Sequence, residues 1–268
     1  MVEKLVLDKG IDRGRVFVTG LSAGGAMTSV MLACYPEVFA GGAIVAGLPF
    51  GAATNVKQAF QSMFQSPARP AREWGDLVRR ASRHTGPWPR VSVWHGNADK
   101  TVIPRNARQI LQQWTAVHGL PLSPSKQETI DGYPREVWID EAGIEMIESY
   151  TISNMAHGTP LATGKGEGGC GAAGPFLLEV GISSSYHIAK FFGIAGPELR
   201  QSAEGKALTL SPAIICHSED AAAGSVLEGE VLDKEYDTKP NQGIKAPPAF
   251  EIGAVINNAL KSAGLIKG

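Results

Sequence analysis

Three stretches of the 268-residue chain carry side chains that together could run nucleophilic acyl chemistry. The first is Gly20-Leu-Ser22-Ala-Gly24, a G-x-S-x-G pattern. It describes a sharp strand-to-helix turn that exposes the serine hydroxyl and aims the next backbone N–H, that of Ala23, at a developing oxyanion. A serine hydroxyl is a weak nucleophile at neutral pH, so it needs a base, and the base needs an acid to fix its tautomer. On a sheet with such a turn the chain order is Ser, then Asp or Glu, then His. Asp99, in Trp94-His-Gly-Asn-Ala-Asp99, lies just beyond an apolar run, at the carboxyl end of a strand, where catalytic groups of open α/β sheets collect. A turn-capping aspartate is the competing reading there. His157, in Ser153-Asn-Met-Ala-His157-Gly158, follows a long strand and opens a glycine-rich loop from which its ring could swing onto Ser22.

Other residues compete less well. Asp131 and Asp140 sit at hairpin ends. His118 ends a helix, where it suits the dipole; His187 lies within a helical pattern; His84 and His217 lie in polar segments with no strand before them. His95 precedes the acid, so its expected use is to shape the turn. Trp74, Trp88 and Trp94 fit buried packing better than a substrate groove.

The elements that must position these side chains can be read from periodicity. Arg15 to Thr19 is a β-branched and aromatic run between glycines, hence a buried strand, and Ala23 to Cys34 reads as the helix after the turn. Gly41 to Ala46 and Val91 to Trp94 are further buried strands. Between them Val56 to Phe64 and Ala71 to Ala81 predict helices in a Pro- and aromatic-rich segment suited to a cap over a site. Ile103 to His118 predicts a helix with Pro104 in its first turn. A hairpin joins Arg135–Ile139 to Glu145–Ile152, the glycine-rich loop Ser153 to Pro175 follows, and Phe176 to Phe192 predicts another helix. Strands alternating with helices imply an α/β protein, a mostly parallel sheet with helices on both faces. Residues 1–196 are expected to form this domain. Residues 197–268 are expected to be a loosely ordered tail ending in a short helix, Val255 to Leu265.

Composition excludes several classes. A chain 43% hydrophobic and 19% charged has ample apolar surface to bury, which excludes a disordered protein. No run nears the roughly 18 apolar residues a spanning helix needs. A net charge of −1 offers no electrostatic footprint for nucleic acid or anionic lipid, so neither nucleic acid nor membrane is expected as a partner. Cys34, Cys170 and Cys216 are too few and scattered for a disulfide framework or zinc cluster, and no metal or organic cofactor is expected. Met1 to Asp12 lacks the apolar core of a secretory signal.

The segments Val16-Phe-Val-Thr-Gly-Leu-Ser-Ala-Gly-Gly-Ala-Met27, Trp94 to Asp99 and Met155-Ala-His-Gly-Thr-Pro160 resemble esterases of the polyhydroxybutyrate (PHB) depolymerase family, which are α/β-hydrolases. The resemblance covers roughly Met1 to Ile194. It implies a serine carboxylic ester hydrolase with Ser22 as nucleophile, Asp99 as acid and His157 as base, acting on short-chain hydroxyalkanoate esters or polyester. It also implies an extracellular or periplasmic location, or a cytoplasmic one if the chain is complete as given. One departure stands out. An α/β-hydrolase sheet has about four strands before the nucleophile strand, and the loop after the third supplies a second oxyanion donor. Only 21 residues precede Ser22, so the N-terminal strands are expected to be missing. Losing one such donor costs about 10²- to 10³-fold in rate. The alternatives are therefore a weak or inert truncated hydrolase, or a feruloyl- or acetylxylan-type esterase of the same fold.

Overall fold

The computed structural model of the protein describes residues 2–195 except 67, 165 and 167. The expected tail, 197–268, and its closing helix lie outside the described residues, as do Cys216 and His217.

A six-stranded sheet organises the described chain. In spatial order its strands are β1 (Phe17–Leu21), β2 (Gly41–Val45), β3 (Arg90–Gly96), β6 (Glu145–Ile152), β5 (Tyr133–Ile139) and β4 (Lys126–Ile130). The first four are parallel, and β5 and β4 add antiparallel pairings. Every residue of β2 is buried, and so is β3 after its first residue; β2 therefore reads without polar side chains, while β3 buries Ser92 and His95 among its apolar residues. Strand β4 was not anticipated, because Lys126-Gln-Glu-Thr-Ile130 is mostly exposed and carries little apolar signal. It is tied to β5 by a two-residue turn, Asp131-Gly132, with φ of 49° and 85°, the doubly left-handed geometry that matches strand twist in tight hairpins. Among the described residues β1 ends the strand order and pairs only with β2.

Side chains alternate across the sheet and build two cores. On one face Ile44, Val91, Val93 and Ile147 meet α2 (Ala23–Cys34), α4 (Ala71–Arg79) and α5 (Arg105–His118), with Trp114 and Ile110 wholly buried. On the other, Ala43, Val45, Trp94, Tyr150 and Ile152 meet Ile188 and Phe191 of α6 (Ser184–Phe191). Trp94 stacks on Tyr150 at 3.8 Å between ring centroids. Trp74 and Trp94 are fully buried and Trp88 packs against the first core, so the tryptophans serve packing. Burying each such side chain contributes about 1.5–3 kcal/mol.

Two expectations are corrected. Helix α4 is not a cap: Val78 is buried in the first core and the helix packs along α5. The helix predicted over Phe176–Phe192 is two elements, because Gly181 at φ 77° breaks it. Leu177–Glu179 (β8) pairs in parallel with Thr159–Leu161 (β7), inside the loop expected to be irregular, and only α6 is helical, its start capped by Ser183 accepting from the Tyr186 N–H. Helix α3 (Val56–Gln65) lies close to its predicted place, and a further helix, α1 (Val2–Lys9), precedes β1. Among the described residues no helix is long and apolar enough to cross a membrane.

Candidate active site

The parallel register places Leu21, Val45 and Trp94 side by side, and Gly96 beside Ile152, so four strands end on one rim. The three candidate side chains follow these ends: Ser22 after β1, Asp99 after β3, His157 after β6.

Ser22 sits at φ 58°, ψ −115°, a region that costs a non-glycine residue about 1–3 kcal/mol. The turn is held by its backbone: the Ser22 N–H donates to the Val45 carbonyl at 2.9 Å, and the Ser22 carbonyl accepts from the Ala26 N–H at 2.9 Å. Gly20 is required by close approach, since a Cβ there would lie 2.3 Å from the Gly24 backbone. The Ser22 side chain does not cap α2 and makes no hydrogen bond among the described residues, so the half-buried hydroxyl stands free. Ala23 opens α2, where the first backbone N–H groups have no partner within the helix and suit a negative oxygen.

Asp99 is 3% exposed and its carboxylate is saturated. Oδ1 accepts from the Thr101 and Val102 N–H groups at 2.8 and 3.0 Å, while Oδ2 lies 2.7 Å from His157 Nδ1 and 3.4 Å from His95 Nε2. Burial by itself raises the carboxyl's pKa, but the hydrogen bonds from His157, His95 and the Val102 N–H outweigh it and hold Asp99 well below the usual carboxylate range. The loops bearing Asp99 and His157 are laced together. The Asn97 and Ala98 N–H groups donate to the Ile152 and Met155 carbonyls, and the Asn154 N–H donates to Asn97 Oδ1 at 2.7 Å. The Phe176 ring stands edge-on to His157.

The structure thus brings Asp99 and His157 into contact and leaves Ser22 on the same rim without a hydrogen bond to His157. Gly20 and Leu21, just before Ser22, and Thr159, just after His157, line one cavity of about 410 Å³.

The other candidates have different partners. Asp131 pairs with His187 at 2.8 Å, and Asp140 Oδ1 accepts from the Ala142 and Ile144 N–H groups. His84 Nε2 faces the Pro87 carbonyl. His118 corrects its expectation: burial pushes its pKa down to about 4, so it is uncharged near neutral pH and cannot complement the helix dipole as a cation. Its Nε2 lies 3.1 Å from the Pro89 carbonyl instead. Among the described residues Cys34 and Cys170 form no disulfide. Sequence reasoning missed the contact of His95 with Asp99. It also missed buried Glu148, which accepts from the Ser92 hydroxyl and Arg135 and which burial pushes up to about 7.

Residues 1–126 match the family described as Esterase PHB depolymerase. That stretch of the chain belongs to this family. Poly(3-hydroxyalkanoate) depolymerase C of Paucimonas lemoignei is 44% identical over 197 residues, covering 73% of this chain and 48% of the relative. An acetylxylan esterase of Coprinopsis cinerea is 37% identical over 155 residues, 56% of this chain and 41% of the relative. The chain therefore spans about half the length of the curated relatives it matches. Among solved structures, acetyl xylan esterase from Aspergillus awamori superposes with a TM-score of 0.58 at 24% identity, covering 73% of this chain and 65% of that one. The last likeness concerns the fold alone, a mostly parallel sheet with helices of the α/β-hydrolase kind.

Proposed function

We propose that the rim is the active site of a serine carboxylic ester hydrolase of the PHB depolymerase type. The observation that carries this reading is the buried 2.7 Å contact between Asp99 and His157 on the rim where a strained elbow exposes Ser22. In the reaction His157 Nε2 takes the Ser22 proton as Oγ attacks the ester carbonyl, and the Ala23 N–H steadies the oxyanion. The alcohol leaves with the proton from His157, giving an acyl-enzyme. Water, deprotonated by the same nitrogen, then releases the acid. Asp99 keeps the hydrogen on Nδ1 and offsets the imidazolium charge while remaining ionised, as its depressed pKa favours.

The substrate class is short-chain hydroxyalkanoate or related esters, a reading supported by the 44% identity to a protein named as a poly(3-hydroxyalkanoate) depolymerase. A serine-directed fluorophosphonate should label Ser22 in the folded full chain, and labelling should fail in Ser22→Ala. Absence of labelling in folded protein overturns the hydrolase reading in favour of an inert fragment. Turnover of hydroxybutyrate oligomers against acetylated xylan and ferulate esters then tests the substrate. Preference for either of the latter overturns the hydroxyalkanoate assignment.

A further inference from the structure

Resting on the hydrolase reading, we infer that His95 is a positioning residue: its Nε2 hydrogen steadies the Asp99 carboxylate in the orientation that receives His157. His95 is the sixth residue of β3, 3% exposed, and its Nε2 lies 2.8 Å from the Val102 carbonyl and 3.4 Å from Asp99 Oδ2. Both neighbours are acceptors, so Nε2 is the nitrogen that carries the hydrogen, shared unequally in favour of the carbonyl. The other nitrogen, Nδ1, is buried without a hydrogen-bond partner among the described residues. A site needing only bulk would be filled by an apolar side chain without that idle polar atom. The imidazole is retained at a cost, and its useful atom is Nε2.

The contacts close a ring. Val102 donates its N–H to Asp99 Oδ1 and offers its carbonyl to His95, while His95 reaches back to Oδ2. Without His95, the loop amides of Thr101 and Val102 hold the carboxylate along Oδ1 only, and Oδ2 has His157 as its sole partner. The Val102 carbonyl would also lose its side-chain anchor. The carboxylate could then rotate and let the His157 ring drift, and misplacement on an ångström scale lowers turnover sharply.

The test uses two amide substitutions in the full chain. In His95→Gln the side-chain nitrogen reaches the place of Nε2; in His95→Asn it stops one bond short. The readouts are the low-field proton resonance of the Asp99–His157 hydrogen bond, which Asp99→Asn should erase, and kcat and KM on a short p-nitrophenyl ester. The expected result is that H95N shifts or loses the resonance and drops kcat about ten- to a hundredfold with KM nearly unchanged. H95Q should keep the resonance and most of the rate. A folded H95N with wild-type resonance and kcat overturns the inference, as does a folded H95Q that fails as badly as H95N. If H95N does not fold, H95Q decides alone by the same readouts. Wild-type protein that shows the resonance but hydrolyses no ester overturns the hydrolase reading, while the resonance in the two variants still decides how Asp99 is held.

Discussion

The two arms of the rim are held by opposite means. The serine arm is built from backbone: a residue in a strained conformation, wedged by contact between glycines, with its hydroxyl left without partners among the described residues. The Asp99–His157 arm is built from side chains, with each carboxylate oxygen facing two donors. The difference fits the proposed roles. A nucleophile must be accessible and unencumbered, so its position has to come from the main chain. An acid–base pair works by fixing a tautomer, which takes saturated hydrogen bonding in a dry place.

If this contrast is right, perturbations should fall into distinct classes. The largest effect is expected from Ser22→Ala, which should remove roughly 10⁴- to 10⁶-fold in kcat on a p-nitrophenyl ester while leaving the melting temperature close to wild type. A parallel fall in both would mean that the serine is a structural part of the elbow. Next, Asp99→Asn should lower kcat by about 10⁴-fold through the wrong tautomer of His157. The same variant tests the electrostatics. Asp99 has a lower pKa folded than unfolded, so its stabilisation is present above the unfolded value of about 3.9 and is lost as pH falls below it. Urea unfolding between pH 5 and 2.5 should therefore be less steeply pH-dependent in the variant. An identical slope would contradict the saturated-carboxylate picture.

The two glycines of the elbow sharpen the comparison at smaller amplitude. Gly20→Ala places a methyl against the Gly24 backbone and should destabilise by about 1–3 kcal/mol in chemical denaturation, with loss of fluorophosphonate labelling. Gly24→Ala meets nothing within 4 Å and should leave stability within about 1 kcal/mol, with any change towards greater stability. Equal costs at the two positions would show that backbone wedging is not what shapes the turn.

Much of this was legible locally. Helix α2 runs over the residues its pattern marks, after a turn whose glycines and serine are contiguous in the chain. Strand β2 announces itself because both faces are covered and no polar side chain interrupts it, and β3 through the apolar Val91, Val93 and Trp94 around buried Ser92. Strand β4 stayed hidden because its exposed residues carry no burial signal, and α6 was overextended because β8 depends on a partner, β7, contributed from elsewhere. The role of α4 was misread because proline and aromatic content do not say which side of a helix is covered.

What the sequence determined by itself was the inventory: a strand, a tight turn with a serine, and an aspartate and a histidine placed beyond later strands in the order the proposed chemistry requires. Those features depend on neighbours within a few residues, so local sterics and periodicity suffice to read them. Only the tertiary structure decided which histidines meet Asp99, that both approach the same oxygen, and that the Ser22 hydroxyl, at the end of a strand on the same rim, makes no hydrogen bond among the described residues. Such contacts join residues brought together by sheet register and loop lacing, and two strands shifted by one position would carry the same sequence to different partners.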